Sequence, residues 1–150
     1  MTAKQLESLV RLWQERLGLG GWRLVVEVET PDGGNAATAS PTRYSDEARL
    51  RFAPWLLGKA ERPAEVLPAH DDEVEVVVVH ELLHLALRDL DRGHEIIEGH
   101  LHRDVEAVFL AGQNAALERS IERLSLALVR SWPTSVDAQR VASAYGRDPE

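Results

Sequence analysis

The fold of this chain is decided by one stretch, which reads Glu73-Val-Glu-Val-Val-Val-Val-His-Glu-Leu-Leu-His-Leu-Ala-Leu-Arg-Asp-Leu90. The valine run alone has strand propensity. The apolar positions 79, 82, 83, 86, 87 and 90 nevertheless recur with the 3.6-residue period of a helix and not with the two-residue period of a strand. We therefore predict a helix here, with Asp72 as its N-cap and Glu75 completing a capping box.

This helix carries the pattern His-Glu-x-x-His at His80, Glu81 and His84. Two histidines four positions apart project from one face of a helix, so their imidazole nitrogens can bind one metal ion. Glu81 lies at the edge of that face, where a carboxylate that does not bind the metal can act as a base toward a metal-held water. The chain has no cysteine, so histidine or carboxylate must complete any metal site.

The elements around this helix follow from periodicity and turn residues. The predicted elements before it are a helix over residues 3–17 capped by Thr2, a strand over Trp22–Glu29, a weaker strand over Ala36–Tyr44 that Pro41 interrupts, a third strand over Ala48–Ala53, and a helical turn at Trp55–Lys59. Short turns between the strands predict an antiparallel meander. After the motif we predict a helix over Asp104–Ser131, with one apolar stripe at Leu117, Ile121, Leu124 and Leu128.

Together these elements predict an α+β fold with a small, mainly antiparallel sheet. Residues 1–132 are expected to form a single domain, followed by a polar tail over residues 133–150 in which 136–145 are compatible with a short helix. The formal net charge of −8 argues against a nucleic-acid partner, which requires a basic face. The chain shows no signal-peptide pattern and no apolar run long enough to span a membrane, so the expected location is the cytoplasm.

The predicted order of elements is a helix, a short sheet, the His-Glu-x-x-His helix and a later helix with glutamates, and the motif stands within the sequence Val-Val-His-Glu-Leu-Leu-His-Leu. In these features the chain resembles minimal zincin metallopeptidases of the gluzincin type, found in phage and bacterial proteins. The resemblance covers most of residues 1–132 and implies a zinc-dependent (Zn²⁺) peptidase acting on a protein or peptide. Residues 116–128 are similar to the third-ligand helix of ImmA/IrrE-type peptidases. On that match Glu118 binds zinc, and Glu122 holds a ligand histidine by its second nitrogen.

Other third ligands stay open at this point. His100, with His94 and His102 nearby, is close to the arrangement in SprT-like peptidases, and Asp104 or Glu106 has a spacing nearer that of larger gluzincins. The candidates for stabilising the oxyanion are Tyr44, His100 and His102.

The predicted function is peptide hydrolysis by metal-activated water, with Glu81 as general base. An edge strand, either Ala36–Tyr44 or Ala48–Ala53, is expected to bind the substrate backbone by strand addition. The alternatives are a non-catalytic zinc-binding protein with a closed four-ligand site, and a regulatory protein of the same fold that cleaves one partner.

Overall fold

The computed structural model describes residues 1–42, 45–61, 74–88 and 102–132. Within these residues the helices are α1 (Ala3–Arg16), α2 (Val74–Ala86) and α3 (Arg103–Ser131), and the strands are β1 (Arg23–Val28), β2 (Ala37–Pro41) and β3 (Glu47–Phe52). Short 3-10 helices occupy Asp32–Gly34 and Pro54–Leu57. The general α+β prediction is confirmed, including the three strands, the helix over the central stretch and the helical turn after β3.

Helix α1 begins as its sequence predicts. The Gln5 backbone N–H donates to the Thr2 hydroxyl (3.2 Å), and the Thr2 backbone N–H donates to the Gln5 side chain (2.8 Å), which forms a capping box. The Trp13 indole N–H donates to the Glu75 carboxylate (2.8 Å), which ties α1 to the first turn of α2. This bond gives the buried Trp13 ring the polar partner that a buried indole needs.

The sheet has the strand order β1-β3-β2, so the predicted antiparallel meander is wrong. Strands β2 and β3 pair antiparallel, but β1 pairs with β3 in parallel. The parallel register aligns apolar residues of the two strands (Leu24 with Ala48, Val26 with Leu50, Val28 with Phe52). This order puts the bulky residues of β3, of which Leu50 and Phe52 are fully buried, in the centre of the sheet, and leaves the alanine-rich β2 at an edge.

The core lies where α1 and α2 pack against the sheet and α3 packs against α2. Its fully buried large residues are Leu6, Val10, Trp13, Leu50, Phe52, Val78, Val79, Leu82 and Ile121. Helix α2 is apolar on most of its surface, because it contacts α1, β2 and α3. The valine run is therefore helical in spite of its strand propensity, since burial on several sides outweighs local preference.

The predicted apolar stripe of α3 is wrong at one position. Ile121 is fully buried and Leu117 and Leu128 pack against the core, but Leu124 is 45% exposed and Ser125 is fully buried. The side chains of α3 that face the core are at positions 117, 121, 125 and 128. They are four, four and three residues apart, which keeps them on one face of the helix. The Ser125 hydroxyl donates to the Glu122 carbonyl (2.9 Å), so its burial leaves no unsatisfied polar group.

Against the described residues, the C-terminal half of α3 is packed more tightly than its N-terminal half. At its end, the Trp132 ring meets the Trp13 ring edge-to-face at 6.2 Å, and the Arg16 guanidinium lies 4.8 and 5.1 Å from the two ring centroids. The N-terminal half exposes Val108 and Phe109 and continues without a break through Gly112. No helix within the described residues has the length and apolarity that a membrane span requires.

Candidate metal centre

Helix α2 places His80 and His84 side by side, as their four-residue spacing predicts. Their Nε2 atoms are 3.2 Å apart, and their ring centroids are 5.0 Å apart with the ring planes at 65°. Both side chains are half-buried, with 27% and 23% of their surfaces exposed. Two neutral imidazoles in this arrangement direct one nitrogen each toward the same small volume.

Helix α3 brings Glu118 to the same point from 34 residues further along the chain. Its Oε2 lies 3.4 Å from His80 Nε2, and its Oε1 lies 3.5 Å from His84 Nε2. One ligand atom from each of the three residues can be chosen so that all lie within 4.8 Å of one another. These three residues can therefore hold a metal ion, with two nitrogen ligands and one carboxylate.

The other described candidates for the third ligand are too far away. Glu106 and Asp104 lie on α3, twelve and fourteen residues before Glu118, which is about 18 and 21 Å along the helix axis. His102, the N-cap of α3, is still further from Glu118, and its exposed ring lies 3.8 Å from Asp104. His102 is therefore also too distant to stabilise an oxyanion at this site. Asp72, Tyr44, His94, His100 and residues 133–150 lie outside the described residues.

Glu81 is buried beside this cluster, with 7% of its surface exposed. Burial raises the pKa of its carboxyl from 4.5 to about 7; a backbone hydrogen bond from Ala39 opposes the rise, and the negative charge of Glu118 adds to it. A carboxyl with a pKa near neutrality is able both to accept and to return a proton at physiological pH. Position and protonation both fit the general base that the motif predicts.

The cluster lies in an open groove of about 670 Å³. Strand β2 forms one wall through Ala37, Ala39 and Pro41, and α2 forms the floor; the other wall is the part of α3 that carries Glu118, Arg119 and Glu122. Glu122 is thus one turn from Glu118, but among the described residues its carboxylate makes no hydrogen bond to either histidine. The role predicted for Glu122 has no support in this geometry.

Within the described residues, no strand pairs with the groove side of β2, so this side is a free edge of the sheet, although its Ala39 N–H donates to Glu81. The Thr42 backbone N–H donates to the Glu47 carbonyl (2.8 Å), and because antiparallel ladders alternate, the even-numbered residues of β2 bond to β3. The N–H and C=O groups of Ala37 and Ala39 therefore point away from β3, while Pro41 offers only its carbonyl. The prediction that the second strand is an edge is confirmed, whereas Ala48–Ala53 is excluded as an edge because β3 is central.

Arg88 is a groove residue that the sequence reading overlooked. Its guanidinium donates to the carbonyls of Thr42 (2.6 Å) and Ser45 (3.3 Å) and lies 5.4 Å from the centroid of the Trp22 ring. The sequence pattern that could have identified Arg88 is its position four residues after His84, which is one turn further on the same face of the predicted helix.

Comparison with known proteins adds no relative to this description. No protein-family profile matches the chain, and no similar protein was found among curated sequences or solved structures. The functional assignment therefore depends on the geometry of the cluster and its groove.

Proposed function

We propose that this protein is a zinc-dependent peptidase of the zincin type. The observation that carries the proposal is the convergence of His80, His84 and Glu118, from two helices, beside the buried Glu81. The two histidine nitrogens are 3.2 Å apart, which is close to the roughly 3.3 Å between ligand atoms around a tetrahedral zinc ion. His80 lies 3.4 Å from one oxygen of the Glu118 carboxylate and His84 lies 3.5 Å from the other, so the carboxylate faces both nitrogens. Two imidazoles and one carboxylate are also a ligand set of catalytic zinc sites, in which a water holds the fourth position.

The chain's own residues account for the proton transfers. When bound, zinc would act as a Lewis acid on the substrate carbonyl and lower the pKa of water. Glu81 accepts a proton from the attacking water and returns it to the leaving amine. The burial that raises its pKa also holds the carboxyl between the β2 edge and the histidines, so Glu81 is positioned before substrate binds.

The groove supports a peptide as substrate. An extended peptide can pair with the outward N–H and C=O groups of Ala37, and with the carbonyls of Ala39 and Pro41, by strand addition. The small side chains of β2 leave space above the strand for substrate side chains. The open groove, and the presence of three converging ligands among the described residues, also support a catalytic site over the closed four-ligand site of a structural zinc protein.

Metal analysis of the purified full chain tests the first step. We expect one zinc per protein, and Glu118→Gln should weaken zinc binding at least about 100-fold, since loss of outer-sphere partners alone weakens metal binding 10- to 100-fold. Glu106→Gln is the matched control, because it makes the same change on the same helix, about 18 Å away. Absence of zinc in the wild type, or equal affinities in the two variants, would refute the site.

A peptide library digested with the zinc-loaded protein and read by mass spectrometry tests the second step. Glu81→Gln should retain zinc and lose cleavage. Cleavage that survives Glu81→Gln would mean that the activity belongs elsewhere. Bound zinc without any cleavage would favour the regulatory alternative, and pull-down of partners before and after chelation would then follow.

A further inference from the structure

The side chain of Arg88 bridges three parts of the fold at one end of the groove. It starts two residues after the end of α2, the helix that carries both histidines, and crosses to the turn that follows β2, where it donates to two carbonyls, those of Thr42 and Ser45. Its guanidinium also packs against Trp22, the residue before β1. The two ends of this turn are also joined to each other, because the Thr42 hydroxyl donates to the Glu47 carbonyl (3.1 Å).

This bridge acts at the end of an edge strand. Within the described residues, the five-residue strand β2 bonds to β3 on one side only, and this ladder extends to the Thr42 N–H, which donates to the Glu47 carbonyl. Its other side is the groove wall. The separation between this edge and the histidine helix therefore depends, at the Pro41 end, on what ties the turn to α2.

We propose that Arg88 is a positioning residue, which holds the free edge of β2 at a fixed distance from His80 and His84 so that a peptide can pair with it. A lysine is a poor substitute for this role. The guanidinium is a rigid planar fork that reaches two carbonyls at once and stacks on an aromatic ring, whereas an ammonium is a compact point donor. The inference rests on the proposed function in one respect, which is that the molecule that binds to the edge of β2 is a peptide.

Hydrogen–deuterium exchange of the full chain tests the positioning directly, without any need for activity. In Arg88→Lys and Arg88→Gln, the amides of residues 38, 40 and 42, which bond to β3, should exchange about tenfold faster or more, as expected for the loss of a hydrogen bond from a charged donor. The amides of α1 should be unaffected. Arg23→Lys is the matched control, because Arg23 contacts Glu47 at the same hairpin (3.0 Å) from the exposed side, away from the groove.

Kinetics on a library peptide cleaved by the wild type give the second readout. Arg88→Lys should raise KM about tenfold, change kcat much less, and leave zinc affinity unaltered, since all three ligands lie on α2 and α3. Unchanged exchange in β2, or equally faster exchange throughout the protein, would overturn the positioning role. If Arg88→Gln does not fold, Arg88→Lys decides alone. If the wild type binds no zinc or cleaves nothing, the proposed function fails, and the exchange data still determine whether Arg88 holds the strand.

Discussion

Replacement of Glu81 by glutamine should stabilise the metal-free protein at neutral and alkaline pH. Burial raises the pKa of Glu81 from 4.5 to about 7, so the folded protein binds this proton more tightly than the unfolded chain does. The stability that comes from the protonated carboxyl is complete below pH 4.5 and is lost as the pH rises to 7. Above pH 7 the ionised carboxylate is buried at a free-energy cost that a neutral amide of nearly the same shape does not have.

The size of the effect follows from the same shift. Each tenfold change in proton affinity is worth about 1.4 kcal/mol, so the full effect of Glu81 is about 3 kcal/mol. Part of it is already lost at pH 5, which leaves about 2–3 kcal/mol between pH 5 and pH 8. The Glu81→Gln variant should therefore gain about 2–3 kcal/mol relative to the wild type over that interval. Any constant effect of the new amide, such as an unpaired N–H, cancels in this comparison.

Urea unfolding of chelator-treated protein at both pH values measures the difference. Glu106→Gln, on the N-terminal half of α3 and far from the groove, is the control for a change of net charge, and it should shift stability by the same small amount at pH 5 and pH 8. A Glu81→Gln effect that is equal at the two pH values would show that burial does not raise the proton affinity of Glu81, and the assignment of this carboxyl as a base poised near neutrality would lose its physical basis.

Three further predictions concern the core, the helix contacts and the metal. Ile121→Ala should lower the free energy of unfolding by about 2–4 kcal/mol, whereas Leu124→Ala three residues later should change it by less than about 0.5 kcal/mol; urea unfolding measures both, and similar losses would contradict the observed orientation of α3. Trp13→Phe removes the hydrogen bond to Glu75 and also shrinks a fully buried side chain, and its cost should be about 1 kcal/mol smaller in a Glu75→Ala background, where the hydrogen bond is already absent. Zinc at 100 times its Kd should stabilise the fold by about 2.7 kcal/mol in thermal unfolding, and Glu118→Gln at the same zinc concentration should show far less stabilisation.

The parts of the fold that depend on local pattern could be predicted from the sequence. Thr2 and Gln5 specify the start of α1, and the spacing of His80 and His84 puts both rings on one helix face, where their nitrogens are 3.2 Å apart. Glu81 was likewise placed beside the histidines by the motif. Its raised pKa could not be predicted, because it depends on burial against β2 and on the charge of Glu118.

The arrangement of the sheet and the partner helix could not be predicted in the same way. Strand order depends on contacts between distant residues, and the parallel pairing of β1 with β3, which aligns Val26 with Leu50, is encoded by no local turn signal. The burial of Ser125 in place of Leu124 depends on how α3 crosses α2. Glu118 was singled out by resemblance, and only the packing of α3 shows that it reaches both histidines while Glu106 does not.

The stacking of Trp13, Arg16 and Trp132 gives the protein an intrinsic spectroscopic signal. Two indole rings in edge-to-face contact at 6.2 Å couple their electronic transitions, which produces a paired signal in the far-ultraviolet circular dichroism spectrum. Because one ring belongs to α1 and the other follows the last residue of α3, the signal is present only while the helix that carries Glu118 is docked. Undocking of α3 can therefore be followed in the unlabelled protein, separately from the overall loss of helix.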